Sequence, residues 1–197
     1  LAPTRFFFLC RIHEEILLLE PSPEWATLET PYRNLAAGYQ RVIAGLNRRD
    51  EGRFIRDQLD NLLAVMEWCF DHHEPGLTGL LDLTGNWLGL WGYKRERIRW
   101  GELAVQLLKE AGQIGPAAWH LVYNVGWTYF QQGHPRQAKA CFQEGLSLAG
   151  DDDLLVQGVA LRNLAQFARE YDKDFGEAER LYLEALSIFH HVADERW

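Results

Sequence analysis

The 197-residue chain is poor in the features that would mark it as secreted, membrane-bound or catalytic. Its three cysteines, Cys10, Cys69 and Cys141, are an odd, scattered set with no C-x-x-C. That pattern reads as free buried thiols in a reducing compartment, not as a disulfide framework. No run approaches the roughly 18 apolar residues of a membrane span. The apolar stretch Phe6 to Leu9 lacks a full signal-peptide core and cleavage site, and Arg11, Glu14 and Glu15 follow it. These observations favour a cytoplasmic protein. The chain starts at Leu1, and Met66 is its sole methionine. A piece of a longer protein is therefore expected. Positive charge is also scarce: 20 Lys and Arg against 28 Asp and Glu give −8. Binding a polyanion needs a positive field, so this balance argues against nucleic acid as the principal partner.

What is present is apolar and aromatic residue in helical spacing. Hydrophobic residues make up 47% of the chain, enough for a substantial core, and eight Trp suggest wide inter-helix contacts or an aromatic-lined groove. Thr30-Pro31 reads as an N-cap followed by proline at the first helical position, and apolar residues then recur to Leu46. Asn47 to Gly52 is expected to break that helix. A second stripe runs from Ile55 to Phe70 and stops at Pro75-Gly76. Residues 77–91 are apolar nearly all round, as a helix buried between neighbours would be. Further helices are expected over 94–111, from Gly115-Pro116 to Gln132, from Pro135 to about Gly150, from Asp151–Asp153 to about Tyr171, and from Phe175 to Val192. Gly92, Gly112 and Gly133 supply stops. Residues 1–29 read either as a strand running into a helix or as one amphipathic helix.

Small residues recur at a fixed period. Gly85, Gly126 and Ala165 mark the first helix of successive pairs, and Ala104, Gly145 and Ala185 mark the second. Paired helices approach closely only where side chains are small. The segment NVGWTYFQQGHPRQAKACFQEGLSL (124–148) resembles a tetratricopeptide repeat. LRNLAQFAREYDKDFGEAERLYLEALSI (161–188) is similar to the longer variety, about 40 residues, of kinesin light chains and bacterial signalling proteins. The pair at 77–111 is a degenerate companion, with Arg97 and Gly101 where the family places Ala and an aromatic. The resemblance implies an all-α chain of antiparallel helix hairpins stacked as a right-handed solenoid, with repeats at 77–112, 116–150 and 153–192. Residues 57–110, through Asp60, Asn61, Leu62, Trp68, Trp91, Gly92, Tyr93, Arg99 and Trp100, also resemble the junction preceding the repeats in bacterial STAND-class signalling NTPases. That likeness makes 30–76 a helical junction and 1–29 a possible winged-helix remnant, carried by Arg11-Ile12-His13. The chain has no G-x-x-x-x-G-K-[ST]. It would thus be the sensor or autoinhibitory arm, without ATPase chemistry of its own.

By that resemblance a partner groove is lined by Asn86, Tyr123, Asn124, Trp127, Arg162, Asn163, Gln166 and Arg169. An Asn amide can both donate to and accept from a bound backbone, and Tyr and Trp offer contact area at low entropic cost. A carboxylate clamp is not expected. Asn86 and Asn124 match its Asn positions, but Asp82 and Val159 stand where Lys belongs and Asn163 where Arg does. A secondary basic docking patch comprises Lys94, Arg95, Arg97 and Arg99, though a solvated face paired with Glu96 and Glu102 explains it more simply. His72-His73 and His190-His191 point apart on a helix and lack a third ligand, so no metal is expected, and no cofactor. Ser147 in GLSLAG does not fit G-x-S-x-G. The function expected is a non-catalytic scaffold for a protein or peptide, or for other domains of the parent chain. Self-association through the last repeat is a further expectation, because terminal repeats need polar caps. The alternative is a sensor of a small, sugar-like molecule bound within the superhelix.

Overall fold

The computed structural model describes residues 29–150 and 153–194. The expectations for residues 1–28, including Cys10 and the Arg11-Ile12-His13 motif, lie outside it, as do Asp151, Asp152 and the last three residues. Among the described residues the fold is all-helical, with no strand. The helices are α1 (Glu29–Ala44), α2 (Arg48–Asp57), α3 (Leu59–Asp71), α4 (Gly76–Leu90), α5 (Lys94–Glu110), α6 (Ile114–His120), α7 (Trp127–Gln131), α8 (Pro135–Ala149), α9 (Leu154–Phe167) and α10 (Phe175–Asp194). A π-helical segment, Leu121–Gly126, joins α6 to α7, and a second, Ala168–Asp172, extends α9. No described helix is long and apolar enough to cross a membrane.

Several boundaries differ from the sequence reading, each for a local reason. Thr30 lies inside α1, which begins at Glu29. The break expected over Asn47 to Gly52 shrinks to the turn before α2, because Asn47 caps the helix. Its Oδ1 accepts from the backbone N–H of Arg49 and of Asp50, each at 3.1 Å, and Asp50 and Glu51 occupy the first turn. The stripe read as one helix from Ile55 to Phe70 is divided at Gln58, whose backbone (φ −104°, ψ 9°) leaves helical geometry. Asp153 caps α9 as expected, accepting from the N–H of Val156 at 3.2 Å. The turns at Gly112 (φ 71°) and Gly133 (φ 74°) use a left-handed backbone that side-chain-bearing residues resist.

The described residues form two compact units, one ending at Trp87 and the other beginning at Leu88, and the division falls within α4. In the first, α1 packs on α3 and α2, and α4 lies against α1 where Gly76 faces Ala36. Tyr39, Ile43, Ile55, Leu62, Val65, Met66, Leu77, Leu80 and Leu81 are buried. In the second, each helix packs on the next: α5 on α6 and its π-helical continuation, these on α8, α8 on α9, and α9 on α10. Phe130, Ala138, Phe142, Val156, Val159, Ala160 and Phe167 share one core cluster. Leu161, Ala165, Leu181 and Ala185 make another, between α9 and α10. The small residues stand where helices cross. A Cβ added at Gly145 would collide with Cγ2 of Val122, and one at Gly126 would lie 2.8 Å from the Phe142 ring.

Candidate functional site

Two asparagines of the second unit, Asn124 and Asn163, are both buried, and their surroundings differ. Asn124 lies in the π-helical segment, 1% exposed. Its Oδ1 accepts from Nε of Arg97 at 3.1 Å, and its Nδ2 meets Nδ1 of His120 at 2.8 Å. Arg97 also donates through Nη2 to the Tyr123 carbonyl at 3.1 Å, and its Cζ sits 5.2 Å from the Tyr123 ring centre. Trp119 stacks on the Tyr123 ring, their centroids 4.9 Å apart. Room for the guanidinium comes from Gly89, where a Cβ would fall 2.6 Å from Nη1 of Arg97. Burial lowers the affinity of both cationic groups for their protons, Arg97 below its usual range and His120 to about 4. His120 is thus neutral near pH 7. With Asn124 Nδ2 as donor, its Nδ1 is the acceptor and the ring proton rests on Nε2. The result is a directional, buried chain from Arg97 through Asn124 to His120. Such a chain ties α5 to the π-helical segment, and it leaves the Asn124 amide fully engaged by protein neighbours.

This geometry corrects the sequence reading of Arg97. It is 2% exposed, so it does not belong to a solvent-facing basic patch with Lys94, Arg95 and Arg99. Of those three, Lys94 is half-buried while Arg95 and Arg99 are exposed. Asn124, too, has its amide engaged by protein neighbours instead of facing a groove.

On α9, Asn163 occupies the matching position and is equally buried, at 1% exposure. Its Oδ1 accepts from Nη2 of the exposed Arg162 at 3.0 Å, but its Nδ2 has no acceptor among the described residues. The reason lies in the residues at the corresponding sequence spacing. The spacing that carries Gly85 to Gly126 carries Arg97 to Ala138, and the spacing that carries Asn124 to Asn163 carries His120 to Val159. Both replacements are apolar and buried, so neither can answer the amide.

Comparison with protein-family models, with curated proteins and with solved structures returned no match.

The remaining groove residues fall into separate groups. Arg162, Gln166 and Arg169 follow one another at i, i+4 and i+7 along α9 and its π-helical extension, exposed or half-buried. Gln166 and Arg169 both donate to Glu170, at 2.9 and 3.0 Å. Trp127 is half-buried, stacked on Phe130 with centroids 5.3 Å apart, and packs on the core cluster. Asn86 is exposed on α4, in the first unit. Sequence reasoning did not identify a cleft of about 510 Å³ lined by α8, α9 and α10. Leu146, Leu161, Leu164 and Leu181 contribute its apolar lining. Its charged lining is already paired, Lys139 with Asp172 at 2.9 Å and Arg180 with Glu177 and Glu184 at 2.8 and 3.0 Å. Among the described residues no group of three or more His, Cys, Asp or Glu is placed to hold a metal.

Proposed function

We propose that the second unit is a tetratricopeptide-like array that binds an extended peptide or protein segment along α9, with Asn163 as the anchoring group. The observation that supports this reading is the buried, unanswered Nδ2 of Asn163 beside an oxygen held by a movable arginine. A buried amide donor without an acceptor costs about 1–3 kcal/mol. A peptide carbonyl that reached Nδ2 would recover that cost, and the exposed Arg162 beside it can rearrange to admit one. Arg162, Gln166 and Arg169 would then line the bound backbone. The stacked, core-packed setting of Trp127 makes it a poor platform for a sugar, which disfavours the small-molecule alternative. The proposed role is binding without catalysis. Its wider setting, a sensor or autoinhibitory arm of a signalling NTPase, rests on the sequence resemblance alone.

Selection of peptides from a random library on the full chain, followed by calorimetric titration, tests the reading. Selected peptides should bind Asn163→Leu about tenfold or more weaker than the wild-type chain, equivalent to roughly 1.4 kcal/mol. Peptides that bind both forms alike, or no saturable binder at all, would overturn it.

A further inference from the structure

The first unit carries a cationic cleft that the proposed peptide site does not involve. Arg49, Arg53 and Arg56 lie at i, i+4 and i+7 on α2, and with Gly52, Asp57 and Trp87 they line a cleft of about 520 Å³. Like charges at this spacing weaken a helix by about 0.2–0.5 kcal/mol per pair. Arg49 and Arg53 are exposed, and among the described residues neither has a carboxylate within ion-pairing distance. In a chain of net charge −8 the cluster concentrates positive charge at one cleft.

Between the arginines, an indole held in place by two contacts lines the same cleft. Nε1 of Trp87 donates to Oε1 of Glu51 at 2.8 Å. The ring rests directly on the helix backbone, since a Cβ at Gly52 would fall 2.6 Å from its Cη2 atom. Trp87 is only half-buried, so part of a rigid aromatic surface faces the cleft. Guanidinium forks match the oxygens of a phosphate, and a fixed indole offers a stacking face. Asp57, which also lines the cleft, would repel a highly charged polyanion more than a compact anion.

We propose that this cleft binds a small phosphorylated molecule carrying a planar ring, its phosphate on Arg49 and Arg53 and its ring against Trp87. The test is indole ¹⁵N–¹H NMR of the full chain, with the Trp87 signal assigned through Trp87→Phe. AMP is the ring-plus-phosphate probe; inorganic phosphate and adenosine each carry one half. AMP should shift the Trp87 signal saturably and bind more tightly than either half. The Arg49→Gln/Arg53→Gln variant should bind AMP about tenfold or more weaker. Both positions are exposed, so unchanged circular dichroism and Tm are expected for that variant. A non-saturating response, equal affinity in the double variant, or inorganic phosphate binding as tightly as AMP would each overturn the proposal.

Discussion

Asn124 and Asn163 are the same residue type at matching positions, yet removing their amides should have opposite consequences. Asn124→Leu takes the side-chain acceptor from a buried guanidinium and the amide donor from His120 Nδ1. Breaking such a buried, charge-assisted network should cost about 3 kcal/mol and lower Tm by several degrees. Asn163→Leu removes a donor that nothing answers, so it should leave Tm unchanged or raise it. Thermal denaturation of both variants decides the point, and a large loss from Asn163→Leu would show that its amide is structurally satisfied. His120 adds a pH dependence with a definite sign. Its folded pKa, about 4, lies below the ordinary imidazole value of 6.5 because burial disfavours the charged ring. Between those values the unfolded chain holds a proton that the folded chain does not. Stability therefore falls as pH drops through that window, by about 2 kcal/mol from about pH 7 to about pH 5. Urea denaturation at the two pH values should show a smaller loss for His120→Gln than for the wild-type chain. Equal losses would remove His120 as the cause.

At the scale of elements, packing depends on contacts that only some sequence signals announce. Gly145 was legible as a close-approach residue from its period, and it faces Val122 where α8 crosses the π-helical segment. Gly→Ala inside a helix gains up to about 1 kcal/mol of intrinsic propensity. Overpacking against a tight neighbour costs about 1–3 kcal/mol, so the clash should win. Gly145→Ala is expected to be destabilising, and Val122→Ala should recover part of that loss when combined with it. A double-mutant cycle measures the coupling, and strict additivity would mean that the two residues do not share the crossing. Helix spacing and the glycine stops were equally readable, because they follow from local backbone preference. The burial of Arg97 was not. It depends on a missing side chain at Gly89 and on a carbonyl 26 residues away, and neither is encoded near the arginine itself. The stripe of Arg49, Arg53 and Arg56 was hidden for a different reason. Reading Asn47 to Gly52 as a break discarded the helical register that aligns them, whereas Asn47 is the cap that starts it.

For the molecule as a whole, net charge and exposed apolar surface act against each other. On α10 Leu183 is 60% and Leu186 50% exposed, three residues apart and hence on one side of the helix. A second copy of the chain is the partner we propose for that side, through apolar contact. The charge of −8 opposes this, since like-charged molecules repel over a Debye length of about 10 Å at 0.1 M salt. Salt shortens that range but leaves apolar attraction intact, so association should strengthen as salt is added. An association built on ion pairs would weaken instead. Sedimentation velocity across a salt series separates the two, with Leu183→Gln/Leu186→Gln as the control that keeps the charge and removes the apolar side. The wild-type chain should gain mass-averaged size with salt and the double variant should not. A wild-type chain that stays monomeric at every salt concentration would overturn the self-association proposal while leaving the peptide site on α9 untouched.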